Sequence, residues 1–170
     1  HTPSALMMCD RRTVMIHHWI QKLAVDYTEA RKKLRLERYK TILLNPGFIT
    51  KGKGQLEVIK TFLNSYHAVN PETLLAIVGL CRDTKYLGEL LDTIGKSGRN
   101  NITLDPSFVS QEQRHLWFSV ADCIILNATN ATPYSASGQL HTAIGYRKPI
   151  LAKNVEINRW PPGSATLFSV

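Results

Sequence analysis

LLAIVGLCRDTKYLGELLDTIGKSGRNNITL, residues 74–104, decides how the chain is read. Residues 74–78 are an uninterrupted apolar run of strand length, stopped by Gly79. Residues 84–94 follow, with Leu87, Leu90, Leu91 and Ile94 at helical spacing and Gly95 just past the expected end. Residues 101–104 then read as a further strand. A strand, a helix and a strand in about thirty residues form the unit of a parallel sheet.

The same alternation extends in both directions. Upstream, residues 41–44 read as a strand closed by an Asn45-Pro46-Gly47 turn. Residues 55–67 read as a helix through Leu56, Ile59, Phe62, Leu63 and Tyr66. Downstream, Ser110 and Gln113 have capping-box spacing and open a helix expected to bury Leu116, Trp117 and Val120. Residues 123–126 form a fourth strand, residues 137–146 a helix buried through Leu140, Ala143 and Ile144, and residues 149–152 a fifth strand. Short apolar strands joined by amphipathic helices indicate an α/β fold, a Rossmann-like doubly wound parallel sheet with right-handed crossovers. Ligands of such sheets bind beyond the carboxyl ends of the strands.

Composition agrees with one folded unit. The chain has 170 residues, of which 44% are apolar and 20% charged, which argues against disorder. No apolar run approaches the ~18 residues of a membrane helix. Cys9, Cys81 and Cys123 are scattered, with no paired Cys/His spacing, so neither a disulfide framework nor a zinc module is expected. Reduced thiols and the lack of a secretory signal point to the cytoplasm.

The net charge of +8 is uneven: residues 1–60 carry 12 Lys/Arg against 5 Asp/Glu. Residues 1–40 are therefore set apart as a basic, partly helical segment, and residues 41–170 as the sheet domain. The charge of 31–40 suits a solvated helix face, and also peripheral contact with an anionic membrane. Without interleaved aromatics or a reader motif, a nucleic-acid-binding module trails, and no nucleic acid is expected as partner. The chain opens at His1 and closes on the apolar residues 166–170, as expected of a piece of a longer protein, truncated at its C-terminus.

Two loops carry chemistry. Residues 46–54, Pro-Gly-Phe-Ile-Thr-Lys-Gly-Lys-Gly, place Gly47, Lys53 and Gly54 between a strand and a helix, as a phosphate cradle requires. The spacing is neither a Walker A loop nor GxGxxG, and a flexible surface turn reads equally well. Residues 127–138 open into a helix with Ser135, Ser137 and Gly138 at its start, where free amides can hold a diphosphate or serine merely caps. His17, His18 and His141 are candidate metal ligands or acid/base groups. The adjacent His17 and His18 lack a nearby carboxylate and read as surface histidines, whereas His141 follows the serine-glycine loop and its rotation on the helix decides whether it faces the site. Three Asn-x-Thr triplets, at Asn101, Asn127 and Asn130, read as accidental without a secretory signal.

Several short stretches occur in order: Gly47-Phe48-Ile49 with Lys53-Gly54, Ile77-Val78-Gly79, Phe108-Val109-Ser110, Ala121-Asp122, Ser135-Ala-Ser-Gly-Gln-Leu-His-Thr-Ala-Ile144 and Lys148-Pro149-Ile150. Over roughly residues 29–155 the chain resembles the C-terminal donor-binding domain of GT-B fold retaining glycosyltransferases of the group 1 type, which include mannosyl- and glucosyltransferases. The resemblance implies one half of a GT-B fold that binds a nucleoside-diphosphate sugar as donor substrate. It implies no further cofactor and no metal, and an acceptor-binding N-terminal domain as partner. Lys53 falls where the family contacts the diphosphate, Val109 where backbone meets the nucleobase, and residues 135–138 where sugar and phosphates are received. No catalytic residue follows from the match. Phe48 replaces the family's usual arginine, and Tyr134 and Thr142 stand at its two glutamate positions. A domain that binds a nucleotide for regulation without turnover is the alternative, and the isolated piece is expected to bind donor without transferring sugar.

Overall fold

The computed structural model describes residues 26–128 and 137–153 in full and the backbone of residues 167–168. The order is α1 (Tyr27–Leu34), β1 (Thr41–Pro46), a 3-10 turn (Lys51–Lys53), α2 (Gln55–Leu63), a second 3-10 turn (Tyr66–Ala68) and β2 (Thr73–Val78). Then come α3 (Thr84–Ser97), β3 (Ile102–Asp105), α4 (Gln111–Val120), β4 (Cys123–Leu126), α5 (Gly138–Gly145), β5 (Ile150–Ala152) and β6 (Leu167–Phe168). The strands form one sheet in the order β3-β2-β1-β4-β5-β6, and every pairing is parallel. This is the doubly wound arrangement, and its order reverses between β1 and β4.

Alternating strand residues divide the core into two layers, because successive side chains leave opposite faces. Ile42, Leu44, Leu74, Ala76, Val78, Ile124 and Leu126 face α1, α4 and α5 through Ala30, Phe118, Val120, Leu140 and Ala143. Leu75, Ile77 and Ile102 face α2 and α3 through Val58, Ile59, Phe62, Tyr86 and Leu90. A fully buried aliphatic side chain contributes about 1.5–3 kcal/mol, so both layers are needed to hold the sheet.

α1 is docked on the sheet layer. Asp26 caps it by accepting from Glu29 N at 2.8 Å, and Arg35 leaves it in the left-handed region at φ 56. Arg31 turns inward, donating to the Tyr39 carbonyl, to the Tyr27 hydroxyl and, at 3.2 Å, to Asp122. Asp122 also accepts from Ile42 N at 2.8 Å, tying α1 to the starts of β1 and β4. Residues 26–40 thus pack as part of the α/β layer, contributing Ala30, Leu36 and Tyr39 to its core, where the sequence reads as a surface segment.

Several details differ from the sequence reading. β1 continues through Asn45 and Pro46, which pair with Ile77 and Val78. Gly47 N donates to Val78 O, so Pro46, one position earlier, turns its missing donor toward the β4 side, past the last β1–β4 pair at Leu44 and Ile124. α2 stops at Leu63, and Tyr66 belongs to the following 3-10 turn. α3 passes through Gly95 to Ser97 and ends at Gly98, φ +62, whose N–H reaches Gly95 O. α4 buries Phe118, Ser119 and Val120 most deeply, leaving Leu116 and Trp117 partly covered. Leu167–Phe168, within the stretch read as an apolar end, form the sixth strand.

Candidate functional site

The first loop of the site is built by close backbone approach. Gly47, φ +112, continues from β1, and a Cβ on Gly79 would lie 2.1 Å from the Gly47 carbonyl oxygen, so only glycine fits there. Ile49 N then donates to Leu80 O at 3.0 Å, carrying the loop alongside the chain that leaves β2. The 3-10 turn at Lys51–Lys53 and Gly54, φ +67, lead into α2. Gln55 is fully buried and donates through Nε2 to the Phe48 carbonyl at 3.1 Å, while the Tyr86 hydroxyl accepts from Leu56 N. The loop is therefore fixed by its own helix.

The ends of the second loop, residues 127–128 and 137–138, lie by the first loop at the reversal point of the sheet. Asn127, just beyond β4, donates through Nδ2 to the Gly54 carbonyl at 3.1 Å. Ser137 caps α5 by accepting from Leu140 N at 3.2 Å. The Ser137 carbonyl accepts from His141 Nδ1 at 2.8 Å, and Thr142 Oγ1 donates to the Gly138 carbonyl at 2.8 Å. His141 is thus a buried residue that holds the helix start. The first amides of a helix have no acceptor within it, and Gly138 and Gln139, which carry two of them, line the cleft.

A cleft of about 180 Å³ lies between the two loops, lined by Gly47, Lys53, Asn127, Ser137, Gly138 and Gln139 among others. Gly54 is buried behind it against Asn127. Of the residues the sequence singles out, Gly47, Lys53, Ser137 and Gly138 therefore share one cleft. Val109 lines an adjoining cleft of about 280 Å³, which shares Pro46, Gly47, Phe48 and Gln139 with the first. Ser135 and Tyr134 lie outside the described residues, as do His17 and His18. Phe48, 62% exposed, and Phe108, 76% exposed, flank the second cleft, and Arg114 and Trp117 complete its wall. Thr142 receives a hydrogen bond from Arg114 beside it.

Asn45 and Gln139 belong to the first cleft although sequence reading assigned them no role. Asn45 is 4% exposed and donates through Nδ2 to the Ile125 carbonyl at 2.8 Å. Its Oδ1 and the Gln139 Oε1 are buried acceptors with no hydrogen-bond partner among the described residues. The signal available was a polar residue closing an apolar strand, which reads more simply as part of a turn.

Electrostatics favour an anion here. Lys53, half-buried, and the positive end of α5 face one cleft. Among the described residues no group of three His, Cys, Asp or Glu gathers to hold a metal ion, and no helix is long and apolar enough to cross a membrane.

No family model matches the sequence, and no curated protein matches it. Solved structures do. The C-terminal domain of a group 1 family glycosyl transferase, LpcC, from Francisella tularensis is 16% identical, with a TM-score of 0.70 over 88% of this chain and 77% of that one. HepE from Anabaena, solved in complex with UDP and glucose, is 17% identical, with a TM-score of 0.66 over 85% of this chain. A UDP-forming trehalose-phosphate synthase from Burkholderia vietnamiensis is 10% identical, with a TM-score of 0.69 over 88% of this chain. The chain spans 38% of the HepE chain and 40% of the synthase. Its fold is the Rossmann-like α/β unit of these GT-B glycosyltransferases.

Proposed function

We propose that this chain is the donor-binding domain of a glycosyltransferase and holds a nucleoside-diphosphate sugar at the reversal point of its sheet. The observation that carries the reading is the meeting of Lys53 with the Ser137-capped start of α5 in one cleft. A diphosphate placed there receives a point charge from one side and helix amides from the other. The adjoining cleft, with Val109 on its wall and Phe48 and Phe108 at its rim, suits the flat nucleoside. During transfer the bond from the anomeric carbon to the diphosphate oxygen breaks, an acceptor hydroxyl oxygen joins that carbon from the same face, and the hydroxyl proton passes to the departing diphosphate. Negative charge then builds on the diphosphate, where Lys53 and the α5 amides stabilise it. A retaining outcome and an N-terminal acceptor-binding domain belong to the same proposal, and the sugar donor is a substrate with no cofactor beside it.

The basic segment contributes less free charge than its composition suggests. Arg31 is turned inward, and Lys33 and Lys40 pair with Glu29 and Glu72 at 2.9 and 2.8 Å. The anion site at the strand ends is therefore the better-supported use of positive charge. Isothermal titration with UDP and UDP-glucose tests the reading against Lys53→Ala. A charge-assisted hydrogen bond is worth about 1.5–3 kcal/mol, so the variant should bind roughly 10- to 150-fold more weakly. Unchanged affinity removes Lys53 from the site. Equal affinity for the two ligands in the wild-type protein points instead to a nucleotide-binding regulatory domain.

A further inference from the structure

The first cleft has two chemistries, and the diphosphate meets only one of them. Lys53 and the amides of Gly138 and Gln139 are donors and require acceptors from a ligand. Asn45 Oδ1 and Gln139 Oε1 are acceptors, closed to water and without a donor among the described residues. The Asn45 amide is oriented by its Nδ2 bond to the Ile125 carbonyl, so the oxygen cannot be exchanged for the nitrogen without losing that bond. A buried acceptor left unmet costs about 1–3 kcal/mol, and two in one cleft mark a place where a ligand brings donors. A phosphate oxygen cannot serve, and a sugar hydroxyl can.

We infer that Asn45 and Gln139 are the residues that read the hydroxyls of the transferred sugar. The inference rests on the nucleotide-sugar reading and adds to it the side chains that recognise the sugar. Among the described residues no carboxylate lines either cleft, and Thr142 is engaged with the Gly138 carbonyl and with Arg114. Gln139 lies against Gly47, where a Cβ would come within 3.3 Å of its Nε2.

The test is the affinity ratio between a sugar nucleotide and its bare diphosphate, measured calorimetrically on the whole chain with UDP against UDP-glucose and GDP against GDP-mannose. Variants are Gln139→Met, which keeps the side chain's length without its acceptor, and Asn45→Ala. For the tighter-binding pair the ratio should favour the sugar nucleotide, and each variant should reduce it about two- to tenfold, the worth of one neutral hydrogen bond. Because the Gln139 acceptor is unpartnered in the free protein, Gln139→Met should also melt no lower than wild type, which keeps the test open if Asn45→Ala fails to fold. A ratio that survives Gln139→Met, or a Gln139→Met protein markedly less stable, overturns the inference and leaves the donor-site reading standing. Failure of all four ligands to bind wild type ends both.

Discussion

Substituting Gly54 by alanine tests the contact that joins the two loops. An alanine Cβ at this position would lie 2.5 Å from Asn127 Nδ2 and 2.5 Å from the Asn127 backbone oxygen. The amide can swing away, at the loss of its 3.1 Å bond to the Gly54 carbonyl, but the backbone oxygen moves only if the chain leaving β4 moves. The left-handed φ of +67 adds about 1–2 kcal/mol for a residue with a Cβ, and the lost hydrogen bond adds about 0.5–1.5. Displacement of the second loop comes on top, for a total of about 2–4 kcal/mol. In a chain of this size that corresponds to roughly 5–15 °C in melting temperature. Two controls separate the terms. Gly98 has nearly the same φ, +62, but nothing within 4 Å of a Cβ, so Gly98→Ala should show the conformational part alone. Gly88 sits inside α3 with open space around it, and Gly88→Ala should stabilise by about 0.5–1 kcal/mol. Thermal melts of the three variants decide the matter. A Gly54→Ala protein no less stable than Gly98→Ala would mean that the two loops do not touch, and the cleft between them would lose its walls.

Two further outcomes follow from groups away from the cleft. Asp122→Ala removes the acceptor of Ile42 N and the counter-ion of the buried Arg31, and should cost about 2–4 kcal/mol in chemical denaturation, whereas Glu29→Ala, which breaks an exposed pair with Lys33, should leave the midpoint unchanged. Stability should also fall as pH rises past 9 and again past 10. Burial raises the Cys123 thiol above its ordinary 9.0 and the Tyr86 and Tyr146 phenols above 10.0, so the unfolded chain ionises first and the folded one holds more protons. Lys148, lowered by burial, opposes this as pH approaches 10.5. Urea midpoints of wild type and Cys123→Ala between pH 8 and 10 check the sign, and the variant should lose the earlier part of the decline.

Much of the architecture is legible because apolar periodicity is a local signal. The run at 74–78 is buried on both faces and reads as strand in isolation, and Ser110 with Gln113 forms the capping box that its spacing announces. Failures occur where tertiary contact decides. Pro46 looks like the end of a strand, yet it pairs because its nitrogen faces the side where β4 has no bond to offer. Gly95 looks like a helix end, yet the left-handed position falls at Gly98, three residues on. Arg31 looks like one more surface cation, yet its guanidinium is the link between α1 and Asp122, ninety-one residues away in the chain. No window of sequence contains both ends of that contact.

The site divides along the same line. Glycines, serines and lysine in loops after strands declare themselves by composition, since backbone amides and a cation at a helix start are local devices. Asn45 and Gln139 do not, because their significance comes from the reversal of strand order, which brings the end of β1 beside the start of α5. Each residue is ordinary in its own segment, one closing a strand and the other in the first turn of a helix. Only their shared cleft reveals two acceptors with nothing to accept from. The contrast matters for function: an anion site can be assembled from backbone and one lysine, and recurs wherever a helix start meets a strand end. A choice among sugars needs side chains from both halves of the sheet held in register. On the inference drawn above, the parts that discriminate are therefore the ones the sequence does not announce, and the Nδ2 bond from Asn45 to the Ile125 carbonyl is what holds the first of them in place.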